Sequence, residues 1–175
     1  MMTCRTCGYD NVDALDVCEA CGAFLARPVL ADDTTPFDAH LMADVVDVLA
    51  LRPPALLTSD ARVADAVTLM RSDRRGCILV EEEGEVVGIF TEHDLLAKVA
   101  AAGLMPENVA LGEVMTPDPV VLRHHDSLAV AINKMVVAAF RHVPLVDSKG
   151  KIDAIVSARE VLDRLYELLQ LPASV

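Results

Sequence analysis

GCILVEEEGEVVGIFTEHD, at residues 76–94, and HVPLVDSKGKIDAIVSARE, at residues 142–160, are two copies of one pattern that begin 66 residues apart. In each copy, two apolar runs flank a turn that contains a glycine, Gly84 or Gly150. Short apolar runs on either side of a glycine turn are typical of a β-hairpin. The chain therefore contains an internal repeat with a hairpin at the centre of each copy.

Segments with helical spacing flank both hairpins. Apolar residues recur every three to four positions before and after each hairpin, as expected for amphipathic helices; the predicted helices are 63–71, 92–101, 128–137 and 158–169. An extended segment opens each copy, at 55–58 and 120–122. The predicted order is β-α-β-β-α, twice. One copy is too small to bury both its helices and its sheet, so we predict an α/β (α+β) fold in which the two repeats pack as a pseudo-twofold pair.

Composition excludes several classes of partner. The chain of 175 residues carries a formal net charge of −12 and has a sequence pI of about 4.7. Such a surface repels nucleic acids and anionic membranes, so neither is expected as a partner. No apolar run reaches the roughly 20 residues of a membrane helix, and the first residues do not resemble a signal peptide. We therefore expect a cytoplasmic protein, in which thiols stay reduced.

Four of the five cysteines lie near the N-terminus, in two C-x2-C pairs: Cys4, Cys7, Cys18 and Cys21. A glycine follows each pair, and two such pairs can complete a tetrahedral S4 site. Iron is chemically reasonable in the same site, and two disulfides are the other alternative, although they fit a cytoplasmic protein badly. The pattern predicts structural zinc. Because the local charge is also negative, we expect the ribbon to dock a protein rather than a nucleic acid.

Three phrases carry a family resemblance: GIFTEHD at 88–94, LGEVMTPDPV at 111–120 and FRHVPLVD at 140–147. Together they resemble tandem CBS domains, the pair called a Bateman module. The N-terminal segment resembles a short zinc ribbon. The resulting domain prediction is a ribbon at 1–27, a linker at 28–37, CBS domain 1 at 38–105 and CBS domain 2 at 106–175.

The resemblance implies a function and a set of site residues. CBS pairs are regulatory modules that bind AMP, ADP, ATP, S-adenosylmethionine or similar adenosine-containing ligands, NAD included, in the cleft between the repeats. In the family motif G-h-x-[T/S]-x-x-D, in which h is an apolar residue, the aspartate binds the ribose hydroxyls and the threonine or serine contacts a phosphate. Thr91 and Asp94 match the motif fully. In the second copy, Ser157 and Glu160 stand at the positions of Thr91 and Asp94, and Ala154 replaces the glycine of the motif. Because this copy departs from the motif, the principal site is expected at Asp94.

The residues themselves support this assignment. A carboxylate can accept hydrogen bonds from two vicinal hydroxyls, and a helix start favours a phosphate. Arg141 and His142 are the best candidates for cations that neutralise the phosphate, and Val121 belongs to an aliphatic stretch that could hold an adenine. Helix capping alone also explains a threonine followed three residues later by an acid, as at Thr91 and Asp94.

A binding role is favoured over catalysis. The sequence has no P-loop, no G-x-G-x-x-G and no recognisable catalytic triad, and four cysteine ligands leave no open position on a metal. We therefore predict that the chain is not an enzyme; the alternative to a sensor is a ligand-free adaptor. A homodimer is expected through apolar helix faces, for which the candidates are Val45, Val48, Leu49, Leu165, Leu168 and Leu169.

Overall fold

The computed structural model describes residues 2–4, 9–11, 18–21 and 36–170. Cys7, one of the four predicted metal ligands, and most of the predicted linker lie outside the described residues. The chain divides into two compact units. The terminal unit comprises Met1–Leu51, Leu122–Val143 and Val156–Val175, and the central unit comprises Arg52–Val121 and Pro144–Ile155.

The central unit contains a four-stranded sheet of order β3-β4-β5-β6, in which the strands are β3 (Leu56–Thr58), β4 (Cys77–Glu82), β5 (Glu85–Thr91) and β6 (Thr116–Pro117). β3 runs parallel to β4, which is possible because a helix joins them. β4 and β5 form the predicted hairpin around a two-residue loop. Glu83 and Gly84 both have positive φ there, 50° and 86°, the backbone that suits the twist of a two-residue hairpin.

The helix α2 (Val63–Asp73) covers one face of this sheet. Its buried residues Val63, Ala66 and Met70 recur at helical spacing, so they form one apolar stripe. They pack in one core cluster with alternate residues of the strands, among them Ile78 and Phe90. The other face of β4 is buried as well, in a second cluster that contains Cys77, Leu79, Ile89 and Ile155. Cys77 is 3% exposed and serves as a small core residue.

A helical segment leads from β5 toward β6. It begins as α3 (Glu92–Asp94) and continues as a π-helix over Leu95–Ala100; α4 (Leu111–Val114) then precedes β6. Gly88 on β5 pairs with Pro117 on β6. A Cβ atom at Gly88 would overlap the Met115 side chain and lie 3.1 Å from the Thr116 carbonyl oxygen. The glycine therefore allows the chain around β6 to approach β5 closely.

The terminal unit is mainly helical among its described residues. It includes the hairpin β1 (Met2–Thr3) and β2 (Asp10–Asn11), α1 (Pro36–Ala43), a 3-10 turn (Val46–Val48), α5 (Leu128–Val137) and α6 (Ala158–Gln170). α1 contacts α5 and α6. The Arg164 guanidinium donates to Asp44 at 2.5 and 3.2 Å, and its hydrogen bonds hold the pKa of the Asp44 carboxyl below its usual value.

A second sheet has the order β7-β8-β9, in which the strands are β7 (Leu122–Arg123), β8 (His142–Val146) and β9 (Ile152–Ser157). Both copies of the repeat thus have the predicted element order, β3-α2-β4-β5-α3 and β7-α5-β8-β9-α6. The mixed α/β fold class is confirmed. The helix predicted at 92–101 is present as α3 and the π-helix that follows it. The sequence did not predict α1 or α4, because α1 begins inside a stretch that reads as a linker and α4 is only one turn long.

Candidate functional site

The junction between β5 and α3 holds the two residues of the full family motif. Thr91 is the last residue of β5 and caps the helix: its Oγ1 accepts from the Asp94 backbone N–H at 3.3 Å. In return, the Thr91 backbone N–H and hydroxyl donate to Asp94 Oδ2 at 2.9 and 2.7 Å. The capping box predicted from sequence is therefore present. It fixes both the start of the helix and the position of the Asp94 carboxylate.

The other carboxylate oxygen of Asp94 is also bound. Asp94 Oδ1 accepts from the Thr116 hydroxyl at 3.0 Å and from the Lys98 ammonium at 2.8 Å. The residue is only 4% exposed. Burial opposes ionisation of this carboxyl, but the hydrogen bonds from Lys98, Thr91 and Thr116 outweigh it and hold its pKa below the usual value. The carboxylate is therefore an ionised, buried acceptor at neutral pH.

Lys98 and Thr116 are site residues that sequence reasoning missed. Lys98 follows Asp94 by four residues on a helical segment, so its proximity could have been expected from helical spacing. Thr116 lies 22 residues after Asp94, and only the pairing of β6 with β5 brings it there. The short β6 strand gave no sequence signal of that pairing.

The second copy has a similar junction, at β9 and α6. The Ser157 backbone N–H and hydroxyl both donate to Glu160 Oε2 at 2.6 Å. The Arg141 carbonyl accepts from the Ala158 N–H at 2.8 Å, which places the Arg141 backbone beside the start of α6. The Arg141 residue is exposed, while Ser157 and Glu160 are partly buried. Ala154 is 7% exposed, so this strand accommodates a Cβ where the first copy has glycine.

The structure therefore brings the predicted site residues together in two sets. Thr91 and Asp94 form one set, and Ser157, Glu160 and the Arg141 backbone form the other. His142, the first residue of β8, and Val121 are each partly buried. The ligand-binding roles of all seven residues stay predictions.

Three of the four N-terminal cysteines form a cluster. The Sγ atoms of Cys4, Cys18 and Cys21 all lie within 4.8 Å of one another, and those of Cys4 and Cys21 are 3.7 Å apart. A disulfide needs about 2.05 Å, so these two sulfurs are not bonded. Two thiolates on a tetrahedral zinc, with Zn–S bonds of about 2.3 Å, lie about 3.8 Å apart. The observed spacing thus fits a shared metal ion rather than a Cys4–Cys21 disulfide.

Asn11 supports this cluster. It is 1% exposed, and its amide nitrogen donates to Cys18 Sγ at 3.5 Å and to the Tyr9 carbonyl at 2.9 Å. Its side-chain oxygen accepts from the Glu19 N–H at 3.0 Å. The Cys4 N–H donates to the Tyr9 carbonyl at 2.7 Å. One buried amide thereby joins the hairpin to the Cys18 turn and supplies a donor to a sulfur, as residues around metal ligands commonly do.

The surface predicted for dimerisation needs a correction. Leu49 and Leu168 are only 7% and 4% exposed and belong to the chain's own core. Helical rotation explains the error, because α6 has two apolar faces and the sequence does not show which one turns inward. The outward face presents Leu162, Tyr166 and Leu169, which are 63–66% exposed.

Comparison with known proteins identifies the family. A family model described as CBS domain matches residues 45–101 and 111–167, so the chain belongs to the CBS-domain family, with two copies in tandem. The chain is 33% identical over 140 residues to the CBS domain-containing protein CBSCBSPB2 of Arabidopsis thaliana; the match covers 79% of this chain and 24% of that protein. The chain spans less than half the length of the first curated relatives that it matches.

Two solved structures share the fold. The CBS domain protein PAE2072 from Pyrobaculum aerophilum, complexed with AMP, is 23% identical, with a TM-score of 0.61 over 70% of this chain and 98% of that one. The CBS domain pair of protein MJ0100, in complex with 5′-methylthioadenosine and S-adenosyl-L-methionine, is 22% identical, with a TM-score of 0.62 over 71% of this chain and 97% of that one. The predicted tandem CBS fold is confirmed, whereas the predicted domain boundaries stay a prediction.

Within the described residues, no helix has the length and apolar character that a membrane crossing requires.

Proposed function

We propose that this chain is a regulatory module that binds an adenosine-containing ligand at the Asp94 carboxylate. The main support for this proposal is the geometry of the β5–α3 junction, where a capping box holds an ionised, buried carboxylate at a helix start. Two proteins of the same fold have been solved with AMP or with S-adenosyl-L-methionine and 5′-methylthioadenosine. The part common to these ligands is an adenine joined to a ribose diol.

A ribose diol is a suitable partner for this carboxylate. Vicinal hydroxyls present two donors, and a charged acceptor forms stronger hydrogen bonds than a neutral one. Thr91 is proposed to recognise a phosphate or another polar group of the ligand, and Val121 to contact the base. Arg141 and His142 are proposed as cations for a ligand phosphate, and the Arg141 backbone lies beside the junction of Ser157 and Glu160. Ser157 and Glu160 are proposed as a secondary site, because the longer glutamate places its carboxylate differently.

Binding rather than catalysis is part of this proposal. The described residues around Asp94 are a threonine-capped carboxylate, a lysine and a second threonine, which is the chemistry of a hydrogen-bonding site. A ligand that binds two conformations unequally can regulate a partner without any reaction. The competing function is a ligand-free adaptor, which the capping role of Thr91 and Asp94 would equally allow.

We also propose that the N-terminal cysteines bind one zinc ion and that the resulting ribbon docks a protein partner. This proposal is supported by the Sγ atoms of Cys4, Cys18 and Cys21, which lie within 4.8 Å of one another, and Cys7 is the proposed fourth ligand. Zinc held by four thiolates stabilises a small fold that is too short to bury a core. Iron is the alternative metal for an S4 site. A cytoplasmic location belongs to the same proposal, because the thiols must stay reduced.

A second copy of this chain is the proposed occupant of the outward face of α6. Leu162, Tyr166 and Leu169 lie along one side of this helix and are mostly exposed. The rest of the surface is strongly acidic, with a net charge of −12, so an apolar strip is the part on which two like-charged copies can meet. The homodimer predicted from sequence is thus proposed through these three residues.

Ligand binding at Asp94 should stabilise the protein. We expect AMP, ADP, ATP, NAD or S-adenosylmethionine, each at about 1 mM, to raise the thermal midpoint selectively, by several degrees for a ligand at roughly 100 times its Kd. Asp94→Ala should abolish the shift. Asp65→Ala is the matched control, since Asp65 accepts from the Arg62 N–H at the start of α2 and is exposed. A shift that survives in Asp94→Ala, or no shift with any compound, favours the adaptor.

Zinc should be bound stoichiometrically through the cysteine cluster. Protein purified under reducing conditions is expected to contain one zinc per chain by elemental analysis, and Cys4→Ser or Cys18→Ser should lose it because thiolates are replaced by poorer ligands. Cys77→Ala should retain the metal, since Cys77 is the first residue of β4 and is buried in a core cluster of the central unit. Iron in place of zinc, or metal retained by both serine variants, would contradict the zinc assignment.

Self-association should depend on the outward face of α6. Sedimentation velocity is expected to give a mass about twice the chain's 18.8 kDa. Leu169→Glu should produce a monomer, because it places a charge in the apolar strip. Leu96→Glu is the matched control, as Leu96 and Leu169 are both 65% exposed and lie on different helices. A monomeric wild-type chain, or equal effects of the two variants, would rule out this interface.

A further inference from the structure

The Asp94 carboxylate has no vacant acceptor position in this structure. A carboxylate offers about four lone-pair sites on its two oxygens. At Asp94, the Thr91 N–H and hydroxyl occupy two of them on Oδ2, and the Thr116 hydroxyl and Lys98 ammonium occupy the other two on Oδ1. A ribose diol can therefore reach this carboxylate only by replacing donors that are already there.

The two donors on Oδ2 and the two donors on Oδ1 connect Asp94 to different parts of the structure. The Thr91 bonds belong to the capping box and would be lost only if the start of α3 came apart. The other pair comes from outside the box. Lys98 also donates to the Val114 and Met115 carbonyls, at 3.0 Å each, and thus binds the C-terminal end of α4. Because the ammonium binds these carbonyls and Asp94 together, it ties the residues before β6 to the carboxylate.

The second copy of the repeat lacks this arrangement. Arg164 is the counterpart of Lys98, but its guanidinium donates to Asp44 and Glu167. Before the hairpins the two copies are offset by 65 residues rather than 66, as the starts of α2 and α5 show. The counterpart of Thr116 is therefore Leu51, which has no hydroxyl. The strand pairing is similar but shifted by one residue, because Pro117 pairs with Gly88 of β5, whereas Arg52 pairs with Ile155 of β9 and not with Ala154, the counterpart of Gly88.

Without counterparts of these two donors, the Glu160 carboxylate accepts fewer hydrogen bonds than that of Asp94 within the part of the chain that the structure describes. Both bonds from Ser157 go to Oε2, and among the described residues no donor to Oε1 is found. The capping interaction alone therefore does not fill a carboxylate at this junction. The extra pair of donors at Asp94 is a specific feature of the first copy.

We propose that the Thr116 hydroxyl and the Lys98 ammonium form a latch on Asp94, which a ribose diol must displace in order to bind. This inference rests on the proposed adenosyl site and adds its regulation. When the diol takes Oδ1, Thr116 and Lys98 lose their shared acceptor, so the segment from α4 to β6 loses its direct bond to Asp94. The ammonium keeps its bonds to the Val114 and Met115 carbonyls and to the Thr116 hydroxyl. Ligand binding is thereby coupled to a local change in the residues that lead into the second repeat.

The latch predicts that removing a displaced donor improves binding. Thr116→Val and Lys98→Met keep side-chain size while deleting one donor to Oδ1. Each should bind AMP about tenfold more tightly in isothermal titration, which corresponds to about 1.4 kcal/mol. The gain should be absent for 2′-deoxy-AMP, which has lost one hydroxyl of the diol. Thr58→Val and Lys149→Met are matched controls, since both residues are exposed and in the same unit.

A second measurement keeps the test independent of altered stability in the variants. Hydrogen exchange in the wild-type peptide that spans residues 111–118 should become faster when AMP binds, because the Thr116 hydroxyl no longer ties β6 to Asp94. Circular dichroism and the thermal midpoint of each variant establish that it is folded at the titration temperature.

The outcomes separate this inference from the proposed function. AMP binding that is lost in Asp94→Ala but is equal or weaker in Thr116→Val and Lys98→Met overturns the latch and leaves the ligand site standing. Binding by the two latch variants but not by wild type supports a latch that is closed at rest. Binding by none of these proteins overturns both proposals.

Discussion

The buried carboxylate of Asp94 is the interaction on which the central unit depends. Four donors converge on it from three places in the chain: the end of β5, the helix that follows, and the start of β6. A charge that is 4% exposed is tolerated because those donors replace water. Glycine at position 88 completes the arrangement, since it lets the chain around β6 approach β5 closely enough for Thr116 to reach the carboxylate.

Two copies of one fold have thus acquired different chemistry at equivalent positions. The first copy has a short acid, a lysine and a threonine from the next segment. The second has a longer acid and an arginine that binds α1's neighbour Asp44. Two nitrogens of the Arg164 guanidinium donate to Oδ2 of Asp44, so Arg164 connects α6 to Asp44 rather than to the motif acid. The repeat therefore preserves the helix cap in both copies, while the further donors around the acid differ.

Much of this architecture was accessible from sequence, for identifiable reasons. The hairpins follow from apolar runs around Gly84 and Gly150, and α5 begins and ends where its apolar spacing does. The family match confirms the tandem repeat inferred from the 66-residue offset. The four cysteines predicted a cluster, and three of them form one. Short elements were not predicted, because a strand of two residues such as β6 is too short to show an alternating pattern. Without β6, the contact between Thr116 and Asp94 could not be predicted either. The choice between the two apolar faces of α6 depends on tertiary packing, so Leu168 was assigned wrongly to the surface.

Asp94 is proposed to anchor a ribose diol after Thr116 and Lys98 leave its outer oxygen. A crystal structure of the full chain grown with AMP at saturating concentration would show this step. Both ribose hydroxyls are expected at hydrogen-bond distance, about 2.5–3.0 Å, from the Asp94 carboxylate, with the Thr91 cap intact and the Thr116 hydroxyl and Lys98 ammonium withdrawn from Oδ1. AMP bound only at Glu160 or elsewhere, with all four donors still on Asp94, would overturn this mode of binding.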